Sequence, residues 1–496
     1  MPGSELYDIV VIGSGPGGYH SAIRAAQFGA KVALIEKNKL GGTCLNLGCI
    51  PAKALCASAE FIQKLKENGE DHGILGDFKL DFSKAVVRKN KVVKELTDGI
   101  ATLESLWKND VYIGHGKILN GNANNGFEIS IEGNDNKKIK AKRVIIATGS
   151  TPVLIPAFNI DHDRILTTDD VLHPNFKTLP KKLLIIGAGV AGVEFANIFA
   201  SFGSKVTMLE YLPSPIATEE PMVVKEIQKK FTNLGIEILV SQNVLSIVNT
   251  GSGVKATTIS ADVPKEQIEK AEKFYVEADY CLVTIGRAKE SRNLGLEDLK
   301  IEAPRGAIQV DSKSLETSVK GIFAIGDVTG GLMLAHVARH EGDVAVANAL
   351  ASLDEFQVKE KVTNYRIIPA TIFTSPNIGS VGLRRKNAKN SGYDLLMGRF
   401  PYESLGKAKC MGEEDGFILI IADKKTNKIL GASCIGAEAP ELISEISLAM
   451  QHGLTVHDVA TTIHSHPTIS EMVLEGMEDV YGMAIHKKGR PIRLKD

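Results

Sequence analysis

The sequence predicts an α/β chain of two doubly wound parallel-sheet domains followed by a C-terminal α+β domain. Residues 7–36 and 181–210 align without a gap at an offset of 174. Each copy has an apolar run, glycines at GxGxxG spacing, a helix-length stretch and a second apolar run ending in Glu. From about Ala351 the pattern changes. Strand-like stretches such as Phe417-Ile418-Leu419-Ile420-Ile421 appear there, with an amphipathic segment in which Leu442, Ile446, Ala449 and Met450 share one helical face.

In the first copy Ile9 to Ile12 reads as a strand, and Gly13, Gly15 and Gly18 as the turn into a helix. Gly29, Lys31, Val32 and Glu36 then recur in the second copy as Gly203, Lys205, Val206 and Glu210, after Leu183 to Ile186 and the turn Gly187, Gly189 and Gly192. The first glycine makes the tight turn, the second admits backbone close to a pyrophosphate, and the third lets helix approach strand. The helix N-terminus then offers unpaired N–H groups to the phosphates. One such motif is weak evidence. Two, each followed by Glu 18 residues past the third Gly, specify Rossmann-like nucleotide-binding domains. Glu36 and Glu210 are expected to end their second strands and to accept hydrogen bonds from a ribose. A carboxylate at Glu210 repels a 2′-phosphate, and Tyr211-Leu212-Pro213 brings no Arg to receive one, so the second site favours NAD over NADP.

Directly after the first copy comes Gly41-Gly42-Thr43-Cys44-Leu45-Asn46-Leu47-Gly48-Cys49-Ile50-Pro51-Ala52-Lys53. Two thiols beside a bound redox nucleotide can pass two electrons as dithiol to disulfide and back. Near the other end, His464-Ser465-His466-Pro467-Thr468-Ile469-Ser470-Glu471 supplies the acid-base group that such exchange needs. The nucleophile is a thiolate, and an adjacent base raises its fraction. A carboxylate on the other ring nitrogen fixes the imidazole tautomer.

Further apolar runs end in turns. Val144 to Ala147 ends at Thr148-Gly149-Ser150, Tyr280 to Ile285 at Gly286-Arg287, and Gly321 to Ile325 at Gly326-Asp327. They suggest nested domains: residues 1–150 with 281–350, residues 151–280 inserted between them, and residues 351–496 as the third. Leu183 to Gly203 is the stretch nearest in composition to a membrane span. Glu194 and Asn197 interrupt it, so a buried strand and helix is the reading.

In 496 residues, 58 Lys and Arg stand against 59 Asp and Glu, a balance that gives no electrostatic footprint for nucleic acid or an anionic membrane. The six cysteines, Cys44, Cys49, Cys56, Cys281, Cys410 and Cys434, are too few for a secreted disulfide framework. A cytoplasmic location is expected. Met1 to Asp8 lacks the marks of a presequence, and a mitochondrial matrix location requires that one has been removed.

These motifs resemble those of the pyridine nucleotide–disulfide oxidoreductases over nearly the whole chain, and within them the branch that oxidises dihydrolipoyl groups. The resemblance rests on Gly41 to Lys53, Ala147 to Ser150, the second fingerprint with Glu194, Gly326-Asp327, and His464 to Glu471. It implies FAD on the first fingerprint, NAD on the second, and a homodimer held by the third domain. It also implies that Cys44 exchanges with the substrate disulfide and that the Cys49 thiolate faces the flavin. His466 becomes the acid-base catalyst and Glu471 its orienting carboxylate. Lys53 lies beside the flavin with Glu194 as partner, and Asp327 binds the ribityl chain. Gly42, Thr43, Thr148, Gly149, Ser150, Gly286, Arg287, Gly326, Ala335 and His336 join the cofactor contacts, and no metal is expected. The partners implied are lipoyl domains of 2-oxo acid dehydrogenase complexes or the glycine cleavage system.

Other readings stand beside this one. The enzyme alternative is an NAD(P)H-dependent reductase of the same family acting on a low-molecular-weight disulfide, and the non-enzyme alternative is a metal-binding or redox-sensing module. Cys44, Cys49 and Cys56 would then hold a structural metal, although zinc sites use shorter spacings. Thr468 with Glu471 is also a capping box, Lys53 with Glu194 also a structural ion pair, and His464 competes with His466. Cys281, Cys410 and Cys434 read as buried or incidental thiols. The chain departs from the family at Ala52, where serine is usual, and at Ala288-Lys289-Glu290, where an Arg-Pro-Asn-like run is common. Ser375-Pro376-Asn377-Ile378-Gly379 leans toward glutathione-reductase-type relatives, against which Glu210 argues for NAD. Arg490 to Asp496 lacks the cysteine pair of the mercuric branch.

Overall fold

A computed structural model describes residues 5–488; Met1–Ser4 and the tail from 489, with the Arg490 to Asp496 stretch, lie outside the described residues. In the first sheet five strands run parallel in the order Asp110–Asn122, Val32–Glu36, Leu6–Ile12, Lys137–Ile146, Ile322–Ala324. The outer ends of Asp110–Asn122 and Lys137–Ile146 project beyond this core and pair with Gly126–Gly133 as an antiparallel meander. Helices Pro16–Gln27 and Ala335–Ala351 pack against each other, burying Ala22, Ala25, Val344 and Ala345 with Ile9 and Val11 of the central strand.

The second sheet is wholly parallel, in the order Glu237–Leu239, Lys205–Leu209, Lys182–Ile186, Tyr280–Val283, Ile165–Thr167. This corrects the boundary placed at residue 281. Tyr280–Val283 lies inside the second sheet, beside Lys182–Ile186, and not in the first. The chain crosses back through a two-stranded antiparallel ribbon, Ser150–Pro152 with Arg287–Lys289, and rejoins the first sheet at Ile322–Ala324. The cause is physical: an apolar run reports burial on both faces of a parallel strand, and not which sheet it joins.

Leu183 to Gly203 is a buried strand and helix, with helix Val190–Phe202 almost wholly enclosed. The stretch that does reach membrane-span length and composition is Gly42–Asn68, 27 residues at a mean hydropathy of 1.2. It is two helices, Gly42–Leu47 and Cys49–Asn68, broken at Gly48 where φ is −145° and ψ −115°. Its apolar side, including Leu55, Ala59 and Ile62, is buried against helix Val190–Phe202.

The third sheet is antiparallel, in the order Ala370–Ile372, Asn377–Gly382, Ile429–Gly436, Phe417–Asp423, Leu395–Pro401. Strand Phe417–Asp423 is buried along its whole length, and its alternation sorts two cores. Phe417, Leu419 and Ile421 join the cluster holding Ala52 and Leu55 of the cysteine helix. Ile418, Ile420 and Ala422 face helices Ala439–Gln451 and Glu471–Val480, where Leu442, Ile446, Ala449 and Met450 are buried as the stripe predicts. One face of this sheet is thus applied to the other two domains, and its own helices cover the opposite face.

Candidate active site

The two glycine turns keep one opening each. Gly13 has φ +101°, and a side chain there would meet Ala147 O at 2.4 Å; one at Gly18 would meet Gly13 O at 1.8 Å. A side chain at Gly15 would meet nothing within 4 Å. The second turn repeats this, with φ +99° at Gly187, a clash of 2.0 Å with Gly187 O at Gly192, and open space at Gly189. Turn and packing account for the first and third glycines, and the middle one leaves room above the N-terminus of helix Pro16–Gln27, as a pyrophosphate requires. In the first domain that space is the end of a cavity of about 530 Å³ reaching from Glu36 to Cys44 and Cys49, so it connects a nucleotide cradle to a thiol pair.

The repeat extends to side-chain hydrogen bonds. Glu36 accepts from Ser14 N–H (3.0 Å) and Asn38 N–H (2.7 Å); Glu210 accepts from Ala188 N–H (2.6 Å) and Leu212 N–H (2.8 Å). Each carboxylate is therefore fixed between its glycine turn and the loop after its strand. These residues therefore brace the turn, and a ribose hydroxyl would have to use their remaining lone pairs. Tyr211 and Leu212 are exposed beside Glu210.

Cys44 and Cys49 are free thiols, half-buried on either side of the Gly48 break. Asn46 shapes the short first helix by donating from its amide to Leu40 O (2.9 Å) and Gly42 O (3.0 Å). The Cys44 thiol hydrogen-bonds Cys49, an arrangement that pushes Cys44 up and, with Lys53 one turn on, lowers Cys49 to about 7 against its own burial. Lys53 thus favours the thiolate at Cys49, with Cys44 as its protonated partner. Lys53 Nζ is bonded to both oxygens of Glu194 (2.9 and 2.8 Å) and lies 4.8 Å from the Phe373 ring centroid. Phe373 N–H donates to the same Glu194 at 2.9 Å. Lys53 and Glu194 stand behind Cys49, outside the cavity wall, and join all three domains there. Cys56, two turns past Cys49, is buried and its thiol is pushed up by burial.

Gly42, Thr43, Thr148, Gly149, Ser150, Gly326, Asp327 and Ala335 line the cavity. Ser150 Oγ donates to Asp327 (2.5 Å), and Arg287 donates to Ser150 Oγ (2.8 Å) and Ser150 O (2.7 Å). Arg287 therefore belongs to the wall of the first cavity, on the crossing ribbon, and not to the turn of the second fingerprint. His336 is absent from that wall and donates through Nε2 to Pro369 O at 2.9 Å. Sequence spacing placed His336 beside Ala335, but consecutive helix residues point about 100° apart, so only one of them faces the cavity. The sequence reading missed His173 and Pro174, which reach the wall from the second domain, and Met333, just ahead of the cavity-lining helix.

At the far end, His466 Nδ1 meets Glu471 Oε1 at 2.9 Å, while Glu471 Oε2 accepts Thr468 N–H at 2.9 Å. Thr468 and Glu471 form no capping box: helix Glu471–Val480 starts at Glu471 with Ser470 ahead of it, and the Thr468 hydroxyl turns to Ser465 O (2.7 Å). Partial burial works against ionisation of Glu471, but the His466 and Thr468 contacts outweigh it and hold its carboxyl below the usual range. His464 is enclosed, with Thr462 O and Glu445 each 2.9 Å from a ring nitrogen, whereas the His466 side chain is 77% exposed. Of the two, His466 is the one with an open imidazole.

A family profile described as pyridine nucleotide-disulphide oxidoreductase matches residues 7–342, and the dimerisation domain of that family matches residues 368–477. The chain belongs to the pyridine nucleotide-disulphide oxidoreductase family. Among members of the family, dihydrolipoyl dehydrogenase of Chlamydia muridarum is 40% identical over 476 residues, covering 95% of this chain and 96% of that protein. The Bacillus subtilis dihydrolipoyl dehydrogenase is 39% identical over 485 residues, covering 97% and 99%. Solved structures with the same fold include LpdA of Mycobacterium tuberculosis, at a TM-score of 0.85 and 26% identity over 96% of this chain and 99% of that one. RclA, an HOCl-induced flavoprotein disulfide reductase of Escherichia coli, gives 0.81 and 29% over 95% and 99%.

Proposed function

We propose that the chain is a dihydrolipoyl dehydrogenase that oxidises protein-bound dihydrolipoyl groups, with FAD and NAD as its cofactors. The observation that carries this is the cavity itself, which starts at a pyrophosphate-type glycine turn and ends on a Cys44–Cys49 pair with unequal acidities. In the oxidised enzyme a dihydrolipoyl thiolate attacks Cys44 Sγ, forming a mixed disulfide and releasing Cys49 as thiolate. His466 takes the proton of the second lipoyl thiol, whose sulfur then closes the lipoyl disulfide and expels Cys44. FAD, when bound, supplies the two-electron acceptor between this dithiol and NAD. Lys53 stabilises the Cys49 thiolate, and Glu471 orients the imidazole.

His466 serves a cysteine pair in a second copy of the chain. The third sheet separates the core of its own cysteine helix from the core carrying Glu471–Val480, so the two lie against opposite faces of it. A homodimer with paired shared sites satisfies both halves. The lipoyl groups would be carried by a 2-oxo acid dehydrogenase complex or the glycine cleavage system.

Steady-state turnover decides the reading. Dihydrolipoamide with NAD should be oxidised with a kcat/KM at least about a hundredfold above that for glutathione disulfide with NADPH. A ratio near one, or in favour of glutathione, excludes it. Coenzyme choice should rest on Glu210: Glu210→Gln combined with Leu212→Arg is expected to shift the NADPH/NADH preference by about tenfold or more toward NADPH. An unchanged ratio would show that Glu210 braces its loop without reading the ribose.

A further inference from the structure

Between the first and third domains the chain does not run free. Residues 361–369 lie antiparallel along helix Ala335–Ala351 and are held to it by side-chain hydrogen bonds from Asn348 to His336. Asn348 accepts from Lys361 N–H (2.8 Å) and donates to Lys361 O (3.0 Å). His340 Nε2 accepts from Asn364 N–H (3.3 Å), Tyr365 OH donates to Glu341 Oε1 (2.7 Å), and His336 donates to Pro369 O (2.9 Å). The segment is thereby fixed in register on a helix whose first turn lines the cavity.

Asn348 also donates to Ser314 O (3.0 Å), while the contact that leads toward the cavity is made by Glu341. It is 4% exposed, and its second oxygen accepts the N–H of Gly326 at 2.6 Å. Gly326 has φ +72°, a backbone state that other residues adopt at a cost, and it turns the chain into Asp327. Asp327 lines the cavity and is held by the Ser150 hydroxyl at 2.5 Å. Both partners of Glu341 are donors, which matches an ionised carboxylate. Burial pushes its carboxyl up, and the Tyr365 hydroxyl and Gly326 N–H oppose that shift.

We propose that Glu341 and Tyr365 are positioning residues for the flavin site, and that through them the segment entering the third domain sets the geometry of the Gly326–Asp327 turn. The inference rests on the reading that the first cavity takes FAD. Docking of the third domain and retention of the flavin are then one linked equilibrium, because ordering the strap orders the turn that faces the cofactor.

The chemistry dictates an order among variants. Glu341→Ala leaves the Gly326 N–H buried without an acceptor, the costly case. Tyr365→Phe removes one hydrogen bond and leaves Glu341 on Gly326. Glu341→Gln keeps an oxygen for Gly326 and presents an amide N–H to the Tyr365 oxygen, so it rescues most of the loss.

The test is the FAD dissociation constant of the full-length protein after removal and return of the flavin, followed by flavin fluorescence, with melting temperatures of apo and reconstituted forms. FAD affinity is expected to fall about fivefold in Tyr365→Phe and about fiftyfold in Glu341→Ala, with Glu341→Gln at or above Tyr365→Phe. The gap between reconstituted and apo melting temperatures should shrink in the same order, with the apo value for Tyr365→Phe falling by less than the reconstituted one. FAD affinity within twofold of the parent in Tyr365→Phe, or equal losses in apo and reconstituted melting temperature, overturns the proposal. Should Glu341→Ala not fold, Tyr365→Phe decides alone. A parent protein that takes up no FAD would overturn the reading of the cavity itself, a result distinct from parent and variants binding alike.

Discussion

Cys44→Ser is expected to lower dihydrolipoamide oxidation by roughly a thousandfold or more, and to leave a protein whose oxidised flavin shows a long-wavelength charge-transfer band without added reductant. Cys49→Ser should be as inactive and lack the band. The asymmetry follows from the thiol pair. Cys49 receives the Cys44 hydrogen bond and has Lys53 one turn away, which together lower it to about 7. A serine at 44 still offers a hydroxyl to donate, so the acceptor stays a thiolate. Cys44 is pushed the other way, first by that hydrogen bond and then by burial. The sign of the pH dependence is fixed. A thiol becomes a thiolate on losing its proton, so the band in Cys44→Ser should grow as pH rises through about 7 and fade below it. A band in Cys49→Ser, or one that grows on acidification, would reverse the two roles.

Mixed dimers should recover activity that neither parent has. His466→Ala removes the base and is expected to cost about a hundredfold to ten-thousandfold, and Cys44→Ser/Cys49→Ser removes the redox pair outright. If His466 of the partner subunit completes each site, a dimer of one chain of each type has one intact site and one doubly defective site. Its activity should be about half that of the parent enzyme. If each chain completed its own site, both would carry a lesion and the mixture would stay inactive. The structure motivates the first outcome through the exposed His466 side chain and the sheet between the two cores. Verified mixed dimers without activity would sink the shared site.

Much of this site is written locally. Gly13, Gly15 and Gly18 are legible because turn, approach and packing are demands on single residues at fixed spacing, and the second copy at Gly187 repeats them down to the Glu210 hydrogen bonds. Cys44 and Cys49 are legible because a thiol pair with four residues between is set by one short stretch of chain. His466 and Glu471 are legible for the same reason, five residues apart across a helix start.

What tertiary structure decided is what depends on distant neighbours. Tyr280–Val283 has the composition of a buried parallel strand, and only its pairing with Lys182–Ile186 assigns it to the second sheet. Arg287 sits after an apolar run like any turn residue, yet the crossing ribbon delivers it to Ser150 in the first cavity. His336 follows a cavity-lining Ala335, and helix geometry turns it onto Pro369 instead. Glu341 gives no signal of its own, because its meaning lies in Gly326 and Tyr365, which reach it from separate stretches of chain. The sequence by itself determined two nucleotide folds, a thiol pair beside the first of them and a histidine–carboxylate pair, since each is encoded within a few residues. Which walls those residues share was decided only by the packing of sheets and domains, because burial patterns record that a side chain is enclosed and not what encloses it.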